Sequence, residues 1–274
     1  MSFSLLTIYA DLLEDLERSR IATENRVRAL RQVKGLAGSP EEERLDSIAM
    51  GLAEAERKAT NELRKAVKAH PLGEWIGGQL GVGEKQAGRL LGVLGDPALR
   101  VDPETGEATE RTVSQLWSYC GYGDARLQVR RRGEKGNWNA TLKMRAHLIA
   151  ESCMKTPTSP YRKVYDEARA KYADAVHAEE CKRCGPSGKP AQRGTELSDG
   201  HKHARALRLV AKTFLRDLWE ESRRVHMHDD PHTVGDPARE DEGCSLHGGW
   251  MTQRFLEESR RDRSEQLEAM VAAA

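Results

Sequence analysis

The spacing of apolar positions divides the chain into stretches of different character. Between residues 4 and 34, Leu5, Leu6, Tyr9, Leu12, Leu13, Leu16, Ile21, Val27, Leu30 and Val33 recur at steps of three, four and their sums, the repeat of one face of an α-helix. Gly35 and the Gly38-Ser39-Pro40 cluster close that helix and open the next, because glycine is favoured just past a helix end and proline just inside a helix start. Glu41 to Glu43 then put negative charge in a first turn, where the helix dipole favours it. Leu45, Ile48, Leu52, Ala55, Ala59, Leu63 and Val67 mark one face of this second helix. A short link between two long amphipathic helices predicts an antiparallel, coiled-coil-like hairpin over residues 1–70. Its apolar stripe reads first as internal packing. Its second reading is a partner-binding surface made by Leu12, Leu16, Leu52 and Leu63.

His70-Pro71-Leu72-Gly73 interrupts the pattern and starts a second region, 71–226. Short helices broken by glycines fill 74–97, a loop spans 98–110, and a short helix runs from Thr112 to Tyr119. A glycine-containing loop at 123–138 leads into a helix from Asn139 to Met154. Thr156-Pro157-Thr158-Ser159-Pro160 precedes a helix from Tyr161 to about Val176. A Gly, Pro and Cys loop covers 181–200, and a strongly periodic helix covers about 203–225. Residues 227–274 are a polar linker followed by a charged helix over about 251–271. No strand-like alternation persists beyond short runs, so the expected fold class is all-α.

The most specific stretch runs from Trp75 to Leu91 and contains Gly81-Val82-Gly83-Glu84-Lys85-Gln86-Ala87. Two glycines permit a tight turn between helices, Val82 fills the space between them, and the second helix begins with unpaired N–H groups. This is the pattern of a helix-hairpin-helix element. As a phosphate cradle it would use Gly81, Val82, Gly83, Lys85, Gln86 and Arg89, gripping backbone without reading bases. The bland reading is a turn inside a packed domain.

Charge adds a second candidate. The chain of 274 residues has a formal net charge of only +1, so affinity for nucleic acid has to come from local clustering. Arg126, Arg130, Arg131, Arg132, Lys135, Lys143 and Arg145 form such a cluster, opposed only by Asp124 and Glu134, with Trp138 inside the run. Arginines beside an indole suit phosphate contact with stacking or minor-groove insertion. A solvated charged loop is the alternative.

Cys181-Lys182-Arg183-Cys184-Gly185 has the spacing at which two thiolates bind one tetrahedral ion. His201 and His203 are the expected completing ligands, with His177 as a substitute, giving a structural zinc site that stiffens the loop ahead of the next helix. Two free thiols and unrelated histidines are the alternative. Five cysteines with no framework spacing predict a reducing compartment. The N-terminus meets Asp11, Glu14 and Asp15 without a basic leader, and no apolar run reaches bilayer length. The expectation is a cytosolic, nucleoid-associated protein with no membrane and no small-molecule substrate. No nucleophile lies beside an activating base; His226, His228, Asp229, Asp230 and His232 are only a weak metal candidate, and Cys244 with His247 a weaker one.

Leu80 to Pro97, then Leu116-Trp117-Ser118-Tyr119-Cys120-Gly121, the Arg130-Arg131-Arg132-Gly133 loop, Asn137 and Lys143-Met144-Arg145 follow one another in an order that resembles the C-terminal domain of DEDD-type insertion-sequence transposases. The resemblance covers about residues 74–225 and implies a helix-hairpin-helix DNA-binding scaffold. The family's preceding ribonuclease-H-like domain has no room in the helical first 70 residues, and its nucleophilic serine has no counterpart between residues 121 and 139. The resemblance therefore implies DNA binding without the transposase chemistry. The whole-chain pattern, including His70-Pro71-Leu72-Gly73 and Ser152-Cys153-Met154-Lys155, also looks like small proteins of actinobacterial temperate phages and integrative elements. Some of these are recombination directionality factors that bind a large serine integrase and turn it from integration to excision. The resulting expectation is a non-enzymatic accessory protein that binds double-stranded DNA and a large serine integrase. Its rivals are a divergent transposase or nuclease, and a general DNA-binding or purely protein-binding phage regulator.

Overall fold

The computed structural model describes residues 3–33, 36–102, 105–124, 136–181, 184–185 and 189–228. Helices dominate. α1 (Phe3–Gln32) and α2 (Pro40–Lys68) are followed by α3 (Gly73–Gly78) and α4 (Glu84–Leu94). Two short strands, β1 (Leu99–Val101) and β2 (Ala108–Glu110), precede α5 (Val113–Tyr119), α6 (Ala140–Lys155), α7 (Pro160–Lys171) and α8 (Asp199–His228). The predicted helix at 251–271 lies outside the described residues.

Local chemistry sets most of the boundaries. The Ser39 side chain accepts from the Glu42 amide and Pro40 takes the first helical position. Thr112 and Gln115 form a reciprocal capping box at α5, Asn139 caps α6 through the Leu142 amide, and Ser159 with Pro160 opens α7. Such caps satisfy amides that no turn of helix can reach. The all-α expectation needs one correction at 98–110. There β1 and β2 pair antiparallel, Leu99 opposite Glu110 and Val101 opposite Ala108. The pairing is closed by the Arg111 amide on the Ala98 carbonyl and by Gly106 on Asp102. Three residues per strand are too few for alternation to show in the sequence.

α1 and α2 are antiparallel, as Arg20 to Glu56 at 2.6 Å and Arg31 to Glu42 at 2.5 Å require. The hairpin does not stand apart from the rest. Leu6, Leu13, Leu63 and Val67 belong to the same buried cluster as Leu90, Leu116, Ile149, Leu207 and Phe214. α4 is the element that joins them, lying against α1, α2 and α6. Two glycines allow the approach. A Cβ at Gly92 would sit 2.8 Å from the Leu6 carbonyl oxygen, and one at Gly88 would sit 2.7 Å from Val67 Cγ2.

Charged groups are drawn into this junction. Arg89 on α4 is 2% exposed and gives its Nη2 to Glu17 at 2.6 Å. Arg145 on α6 is 4% exposed and gives its Nη2 to Glu14 at 2.6 Å. Burial acts to raise the Glu17 carboxyl, but the Arg89 hydrogen bond and the nearby Lys85 and Arg145 charges hold it below the ordinary carboxylate value. A second polar hub lies at the end of α4. Asp96, just past α4, accepts from the Ala98 amide at 2.7 Å and the Ser222 hydroxyl at 2.8 Å, and pairs with His226 Nε2 at 2.7 Å. The last turns of α8 are thereby fastened to the end of α4.

Removing one partner of a buried pair leaves a charge uncompensated. Glu17→Gln is expected to cost about 1–3 kcal/mol, the carboxylate being partly solvated. Glu84→Gln, which loosens the 3.7 Å pair with the exposed Lys68 and removes a charge from the first turn of α4, is expected to cost below about 1 kcal/mol. Urea midpoints of the two variants check this ordering. The His70 imidazole is 5% exposed, and burial lowers its pKa to about 4, against a weaker upward pull from Asp96. A folded value below the unfolded one means that the unfolded chain takes up the proton first. Stability is therefore full above about pH 6.5 and falls as pH drops from there toward 4, by an amount of the order of 3 kcal/mol. Denaturation midpoints against pH should show this limb, and His70→Gln should flatten it.

Candidate metal centre and basic surface

Between α7 and α8 the described residues are tied by backbone bonds. Val176 bridges Glu196 and Cys181 bridges Ala191, both antiparallel, and the His177 amide donates to the Thr195 carbonyl. These bonds fold the chain back on itself and bring residues from both arms to one point. Gly185 makes the bend possible, because any Cβ there would run into the Lys189 carbonyl.

At that point His177, Cys181, Cys184 and His201 converge, their ligand atoms all within 4.8 Å of one another. The Cys184 Sγ lies 3.2 Å from His201 Nδ1 and 3.2 Å from the Ser198 hydroxyl, and the two imidazoles stand 5.5 Å apart, centroid to centroid. His177 is 3% exposed, and its Nε2 is buried without a hydrogen-bond partner. A buried imidazole nitrogen left unsatisfied is costly unless something accepts its lone pair. Two sulfurs and two imidazoles at this separation can hold a metal ion.

The ligand set departs from the sequence expectation at one position. His203 is not in the cluster: its Nδ1 shares a 2.8 Å hydrogen bond with the Tyr165 hydroxyl. His201 and His203 are two residues apart on a helix and so point to different sides. His177, the substitute, takes the fourth place.

The hairpin residues occupy a different setting from the one expected. Gly81 does adopt a positive φ of 90°, but a Cβ there would lie 2.9 Å from the Cys153 Cα. The turn is therefore packed on the α6–α7 junction, with Val82 buried against the core. Lys85 is half-buried between Glu17 at 3.6 Å and Glu56 at 3.3 Å. Arg89, expected on a phosphate-facing side, is buried against Glu17, which removes it from the candidate contact set. Gln86 is half-buried and Gly83 exposed. The bases flanking the motif thus complement the acids of the arm.

The arm leucines also divide. Leu63 is fully buried and so presents no partner surface, and Leu16 is half-buried against the core. Leu52 is half-buried and Leu12 is 45% exposed.

Of the basic run, Arg126, Arg130, Arg131, Arg132 and Lys135 lie outside the described residues. Their flanks are described. Arg145 is buried on Glu14, whereas Lys143 lies over the Trp138 ring, 4.9 Å from its centroid. Gly136 abuts the same ring, and Gly121 fits between Trp138 and Lys143. Cys120 and Cys153 are buried, which pushes their thiols up to about 12 and about 11. The sequence reading also passed over the basic residues of α8, Arg205, Arg208 and Lys212. Their signal was the absence of any Asp or Glu between Asp199 and Asp217. Among the described residues, no helix is long and apolar enough to cross a membrane. No protein family, curated protein or solved structure matches the chain.

Protein purified without chelator is expected to carry one metal ion per chain by elemental analysis. His177→Ala should lose it and His203→Ala should keep it. Metal-free parent protein, or the reverse pattern in the two variants, would exclude this ligand set.

Proposed function

We propose that the chain is a non-enzymatic DNA-binding accessory protein whose contact surface is centred on the 125–145 segment and whose α7–α8 connection is stapled by zinc. The carrying observation is the anchoring of the basic segment. Asp124 and Gly136 bound eleven residues that contain Arg126, Arg130, Arg131, Arg132 and Lys135 against a single acid, Glu134. On one side, Tyr122 donates through its hydroxyl to the Lys143 carbonyl at 3.0 Å. On the other, Asn139 returns its amide to the Tyr119 carbonyl at 2.8 Å. Both ends thus meet at Trp138 and Lys143, an indole with a cation on its face. Charge of one sign beside an aromatic platform suits the sugar–phosphate backbone of DNA, with affinity that falls steeply as salt rises.

Zinc is the ion favoured by a thiolate and imidazole set; calcium and magnesium prefer oxygen. Four protein ligands leave no open position, so the ion's role is structural. The resemblance of residues 74–225 to transposase C-terminal domains, and of the whole chain to small phage proteins, supports mobile-element recombination as the setting. On that reading the protein is a recombination directionality factor for a large serine integrase. Docking would use the exposed side of the α1–α2 hairpin, where Ile8, Leu12 and Ile48 are open to solvent.

The test is recombination with the integrase encoded beside the protein. Joining the integrase–DNA complex and promoting recombination between the two hybrid attachment sites is the expected result. A protein that neither binds integrase nor changes which site pairs recombine is not a directionality factor.

A further inference from the structure

Along α8 the basic residues Lys202, Arg205, Arg208, Lys212 and Arg216 are spaced by three, three, four and four, which places them on one side of the helix. The two outer members are used internally. Lys202 is buried and holds Glu196 and the Ala173 carbonyl, and Arg216 is paired with Asp217 and Glu220. The three inner ones have no carboxylate partner among the described residues. Each lies instead on an aromatic ring. Arg205 is 5.7 Å from the Tyr172 centroid, Arg208 is 5.6 Å from Tyr122, and the Lys212 ammonium is 3.9 Å from Trp117. Arg208 also donates to the carbonyls of Gly121 and Gly123, and Trp117 donates its indole N–H to the Lys212 carbonyl at 3.0 Å. The cations are therefore held in place by hydrogen bonds and ring faces that do not neutralise them.

We propose that the α8 row Arg205, Arg208 and Lys212, with Trp117 and Tyr122 beneath it, is a binding edge for the phosphodiester backbone of nucleic acid. The proposal rests on the DNA-binding reading above and adds a surface to it. From Arg205 to Lys212 the helix rises about 10 Å, a distance that spans about three phosphates of one strand at about 3.4 Å each. The edge adjoins the anchors of the 125–135 segment, because Arg208 grips Gly121 and Gly123 while Gly121 lies against Lys143 and Trp138. Asp124 is the acid nearest in sequence to this corner, and α5 carries none. Burial and the neighbouring Arg208 charge lower the Lys212 pKa, the condition of a cation that an added anion would relieve. An anionic membrane fits less well. Leu209, the apolar side chain that shares the row's side of α8, is half-buried, so a bilayer would receive one leucine among three cations.

The experiment is fluorescence anisotropy of labelled duplex and of labelled single strand across a salt series. It compares the parent chain, an Arg205→Gln/Lys212→Gln variant, an Arg216→Gln control and an Arg130→Gln/Arg131→Gln/Arg132→Gln variant. Arg208 is left in place because it holds backbone carbonyls, and thermal melts establish that each variant folds. The expected result is a loss of about ten-fold in affinity for the α8 double variant. Its salt slope should fall by about 0.9 per cation removed on duplex and about 0.7 on single strand, and Lys212→Arg should keep parental binding. The strand type that shows the loss identifies the source of the backbone. If the parent binds and the 130–132 variant weakens while the α8 variant binds as the parent does, the edge proposal is overturned and the DNA-binding reading survives. If the parent binds neither duplex nor single strand, both fall. If, in a parallel sedimentation assay with phosphatidylserine vesicles, the α8 variant loses vesicle binding while keeping parental affinity for duplex and single strand, the edge serves a membrane and the proposal is wrong.

Discussion

The fold depends on how two arginines are kept inside it. Arg89 on α4 and Arg145 on α6 are both almost fully buried, and each finds its countercharge on α1, at Glu17 and Glu14. Those two acids are three residues apart and so lie on one side of α1. A single helical edge thereby sets the position of two other helices. Neither arginine has an acceptor at Nε, so each pair is made through one end of the guanidinium. The gain in stability from such pairs is modest, but the cost of leaving either arginine without its acid is large. Any shift of α1 along α4 would incur that cost and would carry the Leu6 carbonyl off Gly92, whose lack of a Cβ admits it.

This arrangement changes the meaning of the Gly81-Val82-Gly83 motif. A helix beginning after a glycine turn with Lys85 and Arg89 on it has the chemistry of a phosphate cradle, and from sequence alone nothing says what those bases face. In the structure they face Glu17 and Glu56. The same pairing that defeats the cradle reading explains why the arm is acidic where it meets α4. Positive charge available to a ligand is found instead where aromatic rings, rather than carboxylates, support the cations.

Much of this was legible in advance, and the limits have physical causes. The two long helices, their Ser39-Pro40 junction, α6, the start of α7 and α8 followed from apolar spacing and capping residues, which are local properties; α7 ends at Lys171 instead of near Val176, which bridges Glu196. The Cys181 and Cys184 pair was legible because ligand spacing is itself a local constraint. The choice of His177 over His203 was not, since it depends on the Val176–Glu196 and Cys181–Ala191 bridges and on Tyr165 reaching His203. The strand pair at 99–110 was too short to leave a periodic trace. Burial of Leu63 agrees with the first reading of its stripe as internal packing; burial of Arg89 follows from three-helix packing around α4, which no window of sequence contains. The α8 row was present in the spacing of its bases and was passed over because the helix reads first as a core element.

α8 is a thirty-residue rod, about 45 Å long, and it is pinned near its two ends by unrelated chemistry. His201 ties its first turn to the cysteine cluster, and Ser222 with His226 ties its last turns to Asp96. Between the pins Leu207, Val210, Phe214 and Leu215 are buried in the core, so release of either pin frees the turns at that end and leaves the middle of the rod held. Arg205 stands four residues from His201 and Lys212 ten from Ser222, so the cysteine end bears on the basic side first. One helix thus carries two separable dependences, one on the cluster of His177, Cys181, Cys184 and His201 and one on the buried Asp96 carboxylate.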